Sequence, residues 1–395
     1  MTSRSYTFFM LGLCTVTLLP VLALNLLLTY NNLRYDKNAL AAEWQRQTRG
    51  VTYAPPISHN RPFKTLRLND RIADINAVVF GSSTAMGIRE DSFPPAIRAY
   101  NFAQSGNALL AVIGEAEYII QHWSDRVRYL VIPLDWALGF VYEPGVPPPT
   151  ELSVVSARAA AAALHNASLA PQLRDALALP RVKDLLSILK DVLASERKAA
   201  AFRQLFFEPT GEEYRCPDGA LARDFDTIFR GQCVGFRFDG SATFADQKRV
   251  NPRESRALLA SAAAAGSQYA AALRRRRGEP HAAILDRLAS LARRFAASGG
   301  RTVFFLPPLM PELERALLGS AHSGAALART KDALAAWAQR ERLIVLDAGA
   351  SERFGCTAAE FIDPHHALPE CYRKIFSRFW LDYRGGVRPG LHRLE

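Results

Sequence analysis

Five short, largely apolar runs spaced along the chain do most to limit what it can fold into. They are residues 77–80 (AVVF), 99–102 (AYNF), 129–134 (YLVIPL), 302–306 (TVFFL) and 343–347 (LIVLD). A strand with one face in water alternates apolar and polar residues, whereas a strand covered on both faces is apolar nearly throughout and short. Between the runs, residues 107–121 and 281–297 have helical periodicity. Further helix is expected through about residue 340, and a last helix runs into Trp380. Strands alternating with helices predict an α/β fold, a parallel sheet covered by helices on both faces. The alternation is interrupted once. A Pro-rich stretch over 144–149 opens an Ala- and Leu-rich region, read as a mostly helical insertion over 149–278 with a polar loop at about 208–249. The α/β domain is thus expected in two halves, 71–148 and 279–395.

In an open parallel sheet, ligands collect outside the carboxyl ends of the strands. Three polar clusters fall there: Gly81-Ser82-Ser83, Gln104-Ser105-Gly106-Asn107, and Asp363-Pro364-His365-His366. Their residue types suit acyl transfer. A serine hydroxyl is a weak nucleophile and needs an adjacent base. Histidine fills that role because its pKa lies near working pH. A carboxylate must fix the imidazole tautomer, and N–H groups must face the developing oxyanion. Ser83, on a glycine turn between strand and helix, offers both a hydroxyl and an N–H. Asp363 and His366 are near enough in sequence to orient each other, and His365 is the alternative base. Each cluster also has a plain structural reading. Gly-Ser-Ser is a common turn, Asp363 can cap the last helix, and Asp135 at a strand end reads as a cap or salt-bridge partner rather than a catalytic group. The remaining histidines have no supporting context and read as surface or structural.

The N-terminus points to export. No charge occurs between Arg4 and Arg34, and residues 6–30 are mostly Leu, Val, Phe and Thr. A membrane-spanning helix needs roughly 20 apolar residues. An uncleaved transmembrane anchor is expected over residues 1–30, with a polar juxtamembrane stalk over 31–70; a cleaved signal peptide is the rival reading. Of five cysteines, four form two close pairs, Cys216 with Cys233 and Cys356 with Cys371. Such pairs behind an apolar N-terminus predict disulfides and an oxidising compartment. Neither pair has the short spacing of a structural zinc site, so no metal is expected. The net charge of +11 suits anionic lipid or anionic glycan,. Nucleic acid is not expected of an exported chain. The basic run at 274–277 ends an expected helix with Asn251 as N-cap, Pro252 at N1 and Glu254 at N3, where cations favour the helix terminus.

The blocks Val78-Val79-Phe80-Gly81-Ser82-Ser83, Gly106 and Asp363-Pro364-His365-His366 resemble those of the SGNH (GDSL-like) hydrolase superfamily. The resemblance implies a three-layer, flavodoxin-like α/β/α fold and a Ser83–His366–Asp363 triad. It implies an oxyanion hole formed by Ser83 and Gly106, and no cofactor. The Gly-Ser-Ser variant is similar to the membrane-anchored branch that includes teichoic-acid D-alanine transfer and alginate O-acetylation proteins. This implies an esterase or O-acyltransferase acting on a cell-envelope polysaccharide. The protein would be single-pass in the inner (cytoplasmic) membrane, with its main domain in the periplasm or otherwise outside the membrane, and would serve a multi-pass membrane acyltransferase. Two departures stand out. Ser82 replaces the aspartate of the first block, and Pro133-Leu134-Asp135-Trp136 occupies the place of the third block without its asparagine. Asn107 is the candidate substitute donor. The same departures fit an alternative, a non-catalytic scaffold or glycan-binding subunit of an envelope-assembly complex.

Overall fold

The computed structural model describes residues 3–35, 37–53, 60–135, 213–225, 231–243, 279–384 and 389–392, with helical positions also among 190–196 and 260–273. Most of the expected insertion lies outside the described residues, as do the expected cap at Asn251 and the basic run at 274–277. Along the chain the first elements are α1 (Ser3–Tyr35), α2 (Lys37–Thr48), β1 (Val51–Tyr53), α3 (Arg61–Arg71), β2 (Ala77–Val79) and β3 (Ala99–Asn101). Then come α4 (Leu109–Trp123), β4 (Tyr129–Pro133), β5 (Glu213–Arg215), β6 (Leu221–Asp224), α5 (Ala282–Ala297) and β7 (Arg301–Leu306). The last are α6 (Pro311–Leu318), α7 (Ala321–Glu341), β8 (Ile344–Asp347), β9 (Phe361–Asp363), β10 (His366–Ala367), α8 (Pro369–Arg384) and β11 (Gly390–His392). The chain divides into two compact units, one of Met1–Leu66 with Ser153–Val234 and one of Arg67–Leu152 with Gly235–Glu395.

The larger unit is built on a six-stranded sheet of order β11-β8-β7-β4-β2-β3. Every pairing in it is parallel. The expected α/β class is therefore observed, and all five apolar runs are its strands. β2 and β3 are buried throughout, and β4, β7 and β8 at every residue but the first, as their composition requires,. Successive residues of β7 show that both faces are covered. Phe304 packs on Trp337 of α7, with ring centroids 5.4 Å apart, and Phe305 packs on Phe376 of α8, at 5.5 Å. Neighbouring side chains of a strand point to opposite faces, so α7 and α8 lie on opposite sides of the sheet. Counted in chain order within the sheet, its strands lie in the order 2-1-3-4-5-6. The progression reverses between β2 and β4, and such a reversal opens a crevice at the carboxyl ends of the two strands.

The smaller unit holds a three-stranded sheet of order β1-β6-β5. The Cys216–Cys233 disulfide, with Cα atoms 5.6 Å apart, packs with Val51 and Ala222 as a small core. Two segments carry more structure than their composition suggested. The segment 31–70, read as a juxtamembrane stalk, carries α2, β1 and α3 and buries Trp44 and Phe63. In α3 the six residues from Phe63 to Leu68 are all buried, polar Lys64, Thr65 and Arg67 among them, a burial that composition does not announce. The polar loop expected at 208–249 contains β5 and β6, whose pairing rests on backbone hydrogen bonds rather than an apolar pattern. α1 is a single helix that includes Pro20. Among the described residues no helix is long and apolar enough to cross a membrane, so the expected spanning anchor has no support from the structure.

Candidate active site

The turn after β2 is shaped by its glycine. Gly81 has φ +134°, and a Cβ there would run into the Pro133 ring at the end of β4. Only glycine fits such a turn without strain. The chain then enters a 3-10 turn, Ser83–Ala85, with Ser82 as N-cap. The Ser82 hydroxyl accepts from the Thr84 N–H at 3.3 Å and donates to Asp135 Oδ2 at 3.0 Å. Thr84 Oγ1 donates to the same carboxylate oxygen at 3.3 Å. The residues on either side of Ser83 are thus held by Asp135, which follows β4 across the switch point. Buried Asn101, the last residue of β3, adds a second restraint. Its amide donates to the carbonyls of Ala85 and Ile88, each at 2.8 Å, while its Oδ1 accepts from the Ala103 N–H at 2.9 Å. Tyr372 of α8 donates its hydroxyl to the Thr84 carbonyl.

The other half of the site sits on a short antiparallel ribbon. β9 pairs with β10, and the register sets His366 directly opposite Asp363. Cross-strand neighbours have adjacent side chains, so the pairing itself brings imidazole to carboxylate. His366 Nδ1 lies 2.6 Å from Asp363 Oδ2, and His366 Nε2 lies 2.7 Å from Ser83 Oγ. Asp363 Oδ1 also accepts the backbone N–H groups of His365 and His366, both at 3.0 Å. Burial works to raise the pKa of the Asp363 carboxyl. The hydrogen bond from His366 and the charges of His366 and His365 outweigh it and hold it at about 2. The carboxylate therefore stays ionised and fixes the tautomer with Nδ1 protonated, leaving Nε2 to accept from Ser83. A disulfide between Cys356 and Cys371, with Cα atoms 5.2 Å apart, closes the loop that carries the ribbon.

Ser83, Asp363 and His366 are thus brought together. His365 Nδ1 lies 3.3 Å from Asp363 Oδ1, but the serine hydroxyl is bonded to His366. Burial, then the neighbouring His366 charge, push the His365 pKa down, which favours its neutral form. The Ser83 and Gly106 N–H groups make no hydrogen bond to another described residue. Gly106 is exposed with φ +65° in the loop after β3, and Gln104 ties that loop to the Gly81 carbonyl at 2.9 Å. The Asn107 side chain is engaged elsewhere, donating to both carboxylate oxygens of fully buried Glu115 at 3.1 Å. Asp363, His365 and His366 place possible metal-ligand atoms within 4.8 Å of one another. Both His366 nitrogens already face partners, so a metal could use that residue only by displacing Asp363 or Ser83.

Three neighbours of the triad were not found from sequence. Asp135 and Thr84 lacked a recognisable spacing. Tyr269, with its ring centroid 5.9 Å from that of His365, comes from the Ala-rich segment read only as insertion. Comparison with family profiles, curated proteins and solved structures returns no match for this chain.

Proposed function

We propose that the protein is an SGNH-like serine esterase or O-acyltransferase with Ser83 as nucleophile. The observation that carries this reading is the continuous bond from Ser83 Oγ through His366 to Asp363, at 2.7 Å and 2.6 Å. The flavodoxin-like strand order agrees with a three-layer fold of that superfamily, with the serine beside the switch point,. In the reaction, Ser83 Oγ bonds to the acyl carbon as its proton passes to His366 Nε2. The carbonyl π pair becomes an oxyanion, which the Ser83 and Gly106 N–H groups are available to bind. Collapse re-forms the carbonyl and breaks the ester C–O bond, and the departing alcohol takes the proton from His366. Water, or a sugar hydroxyl, then attacks the acyl-enzyme by the same steps in reverse.

The acceptor in this proposal is a cell-envelope polysaccharide, supported by the block resemblance and by a net charge of +11. Membrane attachment and a multi-pass acyl-donating partner belong to the same proposal. Their support is α1, which presents Phe8 at 73%, Leu11 at 58% and Leu13 at 49% exposure on different sides of the helix.

Covalent labelling by a fluorophosphonate tests the reading. Wild type should label at one residue, and Ser83→Ala and His366→Ala should not label while keeping the wild-type melting temperature. Failure of folded wild type to label would point to a chain that keeps the fold without the chemistry.

A further inference from the structure

The loop after β3 is gripped by a buried acid. Glu115 of α4 is fully buried, where an acid without hydrogen-bond partners would be costly,. Gln104 Nε2 donates to its Oε1 at 3.2 Å, and Asn107 Nδ2 donates to both of its oxygens at 3.1 Å. Gln104 and Asn107 are themselves buried, whereas Ser105 and Gly106 between them are exposed. One carboxyl group therefore holds both corners of a two-residue tip.

The tip is a tight turn. The Asn107 N–H donates to the Gln104 carbonyl at 3.3 Å, and φ is positive at Gly106, +65°, but not at Ser105. Positive φ at the third position alone is the mark of a type II turn. In the type I form the two central torsions differ by about 150–170°, which turns the Ser105–Gly106 peptide over and sends its N–H to the other side. A Cβ at Gly106 would meet nothing within 4 Å, so no wall beside the tip fixes its form. The turn is also joined to that of the nucleophile. The Phe102 N–H donates to the Val79 carbonyl at 2.7 Å and the Gln104 N–H to the Gly81 carbonyl at 2.9 Å. Past the strand ends, the loop thus runs on beside Gly81-Ser82-Ser83.

We propose that Glu115 is a positioning residue of the active site: through Gln104 and Asn107 it keeps the Ser105–Gly106 peptide in the form that offers the Gly106 N–H to the oxyanion. This rests on the serine-esterase reading above. It also gives Asn107 a role other than the donor expected from sequence, since its amide is engaged in the clamp. A donor lowers the barrier only where it is already aimed when charge develops. Loosening the clamp therefore slows the chemical step and leaves binding nearly unchanged.

The test is the saturation kinetics of fluorophosphonate labelling, with melting temperatures, for wild type, Asn107→Leu, and the exchanged pair Asn107→Asp with Glu115→Gln. Leucine keeps the shape of asparagine and removes the donor. The exchange reverses the pair: the new amide donates to the new carboxyl group, and its oxygen accepts from Gln104. The expected result for Asn107→Leu is a maximal labelling rate lowered roughly 100-fold, as for a group misplaced by about 1 Å, with the half-saturating concentration changed less than about twofold. The exchanged pair should recover most of that loss and melt close to wild type. An unchanged maximal rate in Asn107→Leu overturns the proposal. So does an exchanged pair that melts like wild type yet labels as slowly as Asn107→Leu, because the Asn107 amide would then act on the reaction directly. An exchanged pair that does not fold, or melts no higher than Asn107→Leu, overturns the clamp itself. If Asn107→Leu does not fold, the exchanged pair decides alone. If wild type does not label, the esterase reading and this inference fall together, whereas failure confined to the variants leaves Ser83 as nucleophile.

Discussion

At Asp363 two opposing effects decide the charge. A carboxylate of its burial would ordinarily be harder to ionise, yet the His366 bond and the nearby histidine charges win. The sign of the pH effect follows. The folded-state pKa lies below the ordinary 3.8, so the stabilisation is fully present above that value and is lost as pH falls toward about 2,. Asp363→Asn should therefore melt below wild type at neutral pH, and the gap should close between about pH 4 and pH 2; a gap independent of pH there would show that ionisation is not what matters. The same variant leaves the imidazole free to take the wrong tautomer, and labelling at Ser83 should slow by on the order of 10³–10⁴-fold at pH 7. Ser83, Asp363 and His366 were readable because each sits in a compact local pattern after an apolar run. Asp135 was not, because a lone acid after a strand has many uses. Its role depends on two hydroxyls 51 and 53 positions away.

At the scale of elements, the strands of the main sheet were legible to within a residue or so. Residues 129–134 become β4 at Tyr129–Pro133, and 343–347 becomes β8 at Ile344–Asp347. Burial on both faces writes itself into composition, so such strands carry a strong signal. β9, β10 and β11 have two or three residues each, too few for any period to show. Yet the β9–β10 ribbon is the element that sets base against acid. Two features hold the halves of the site in place, and each can be removed. Cys356→Ser with Cys371→Ser should lower stability by about 3 kcal/mol on the chain-entropy account of a loop this long, measured by urea unfolding. It should also slow labelling of Ser83, because the loop it frees carries His366. Asn101→Ala leaves the buried Ile88 carbonyl without the Asn101 donor, while the Ala85 carbonyl keeps the Ile88 N–H at 3.1 Å, at a cost of about 1–3 kcal/mol from the penalty for an orphaned group,. Little loss of stability would mean that the turn after Ser83 is held by Asp135 and Tyr372 alone.

At the scale of the whole molecule, the proposal assigns the charge and α1 to a membrane surface, and among the described residues no helix is long and apolar enough to cross one. Lipid vesicles separate the two contributions. Full-length protein should float with vesicles of neutral lipid and stay bound at 1 M salt, where the Debye length is only about 3 Å, whereas a chain lacking residues 1–35 should not. Binding that needs anionic lipid and is lost in salt would assign attachment to the basic surface and remove α1 from the account. By itself the sequence determined what short-range physics can encode. It specified which segments are doubly buried strands, where a glycine must turn the chain, and which cysteines are near enough to pair. It also placed the Asp-Pro-His-His turn that presents acid and base together. The tertiary structure alone decided which histidine meets Ser83, 283 positions away. It also decided that Asp135 holds the serine turn and that Tyr269, from outside the strand-bearing halves, comes beside His365. These outcomes depend on strand order and on packing, and both are set by contacts between distant segments that no local pattern records.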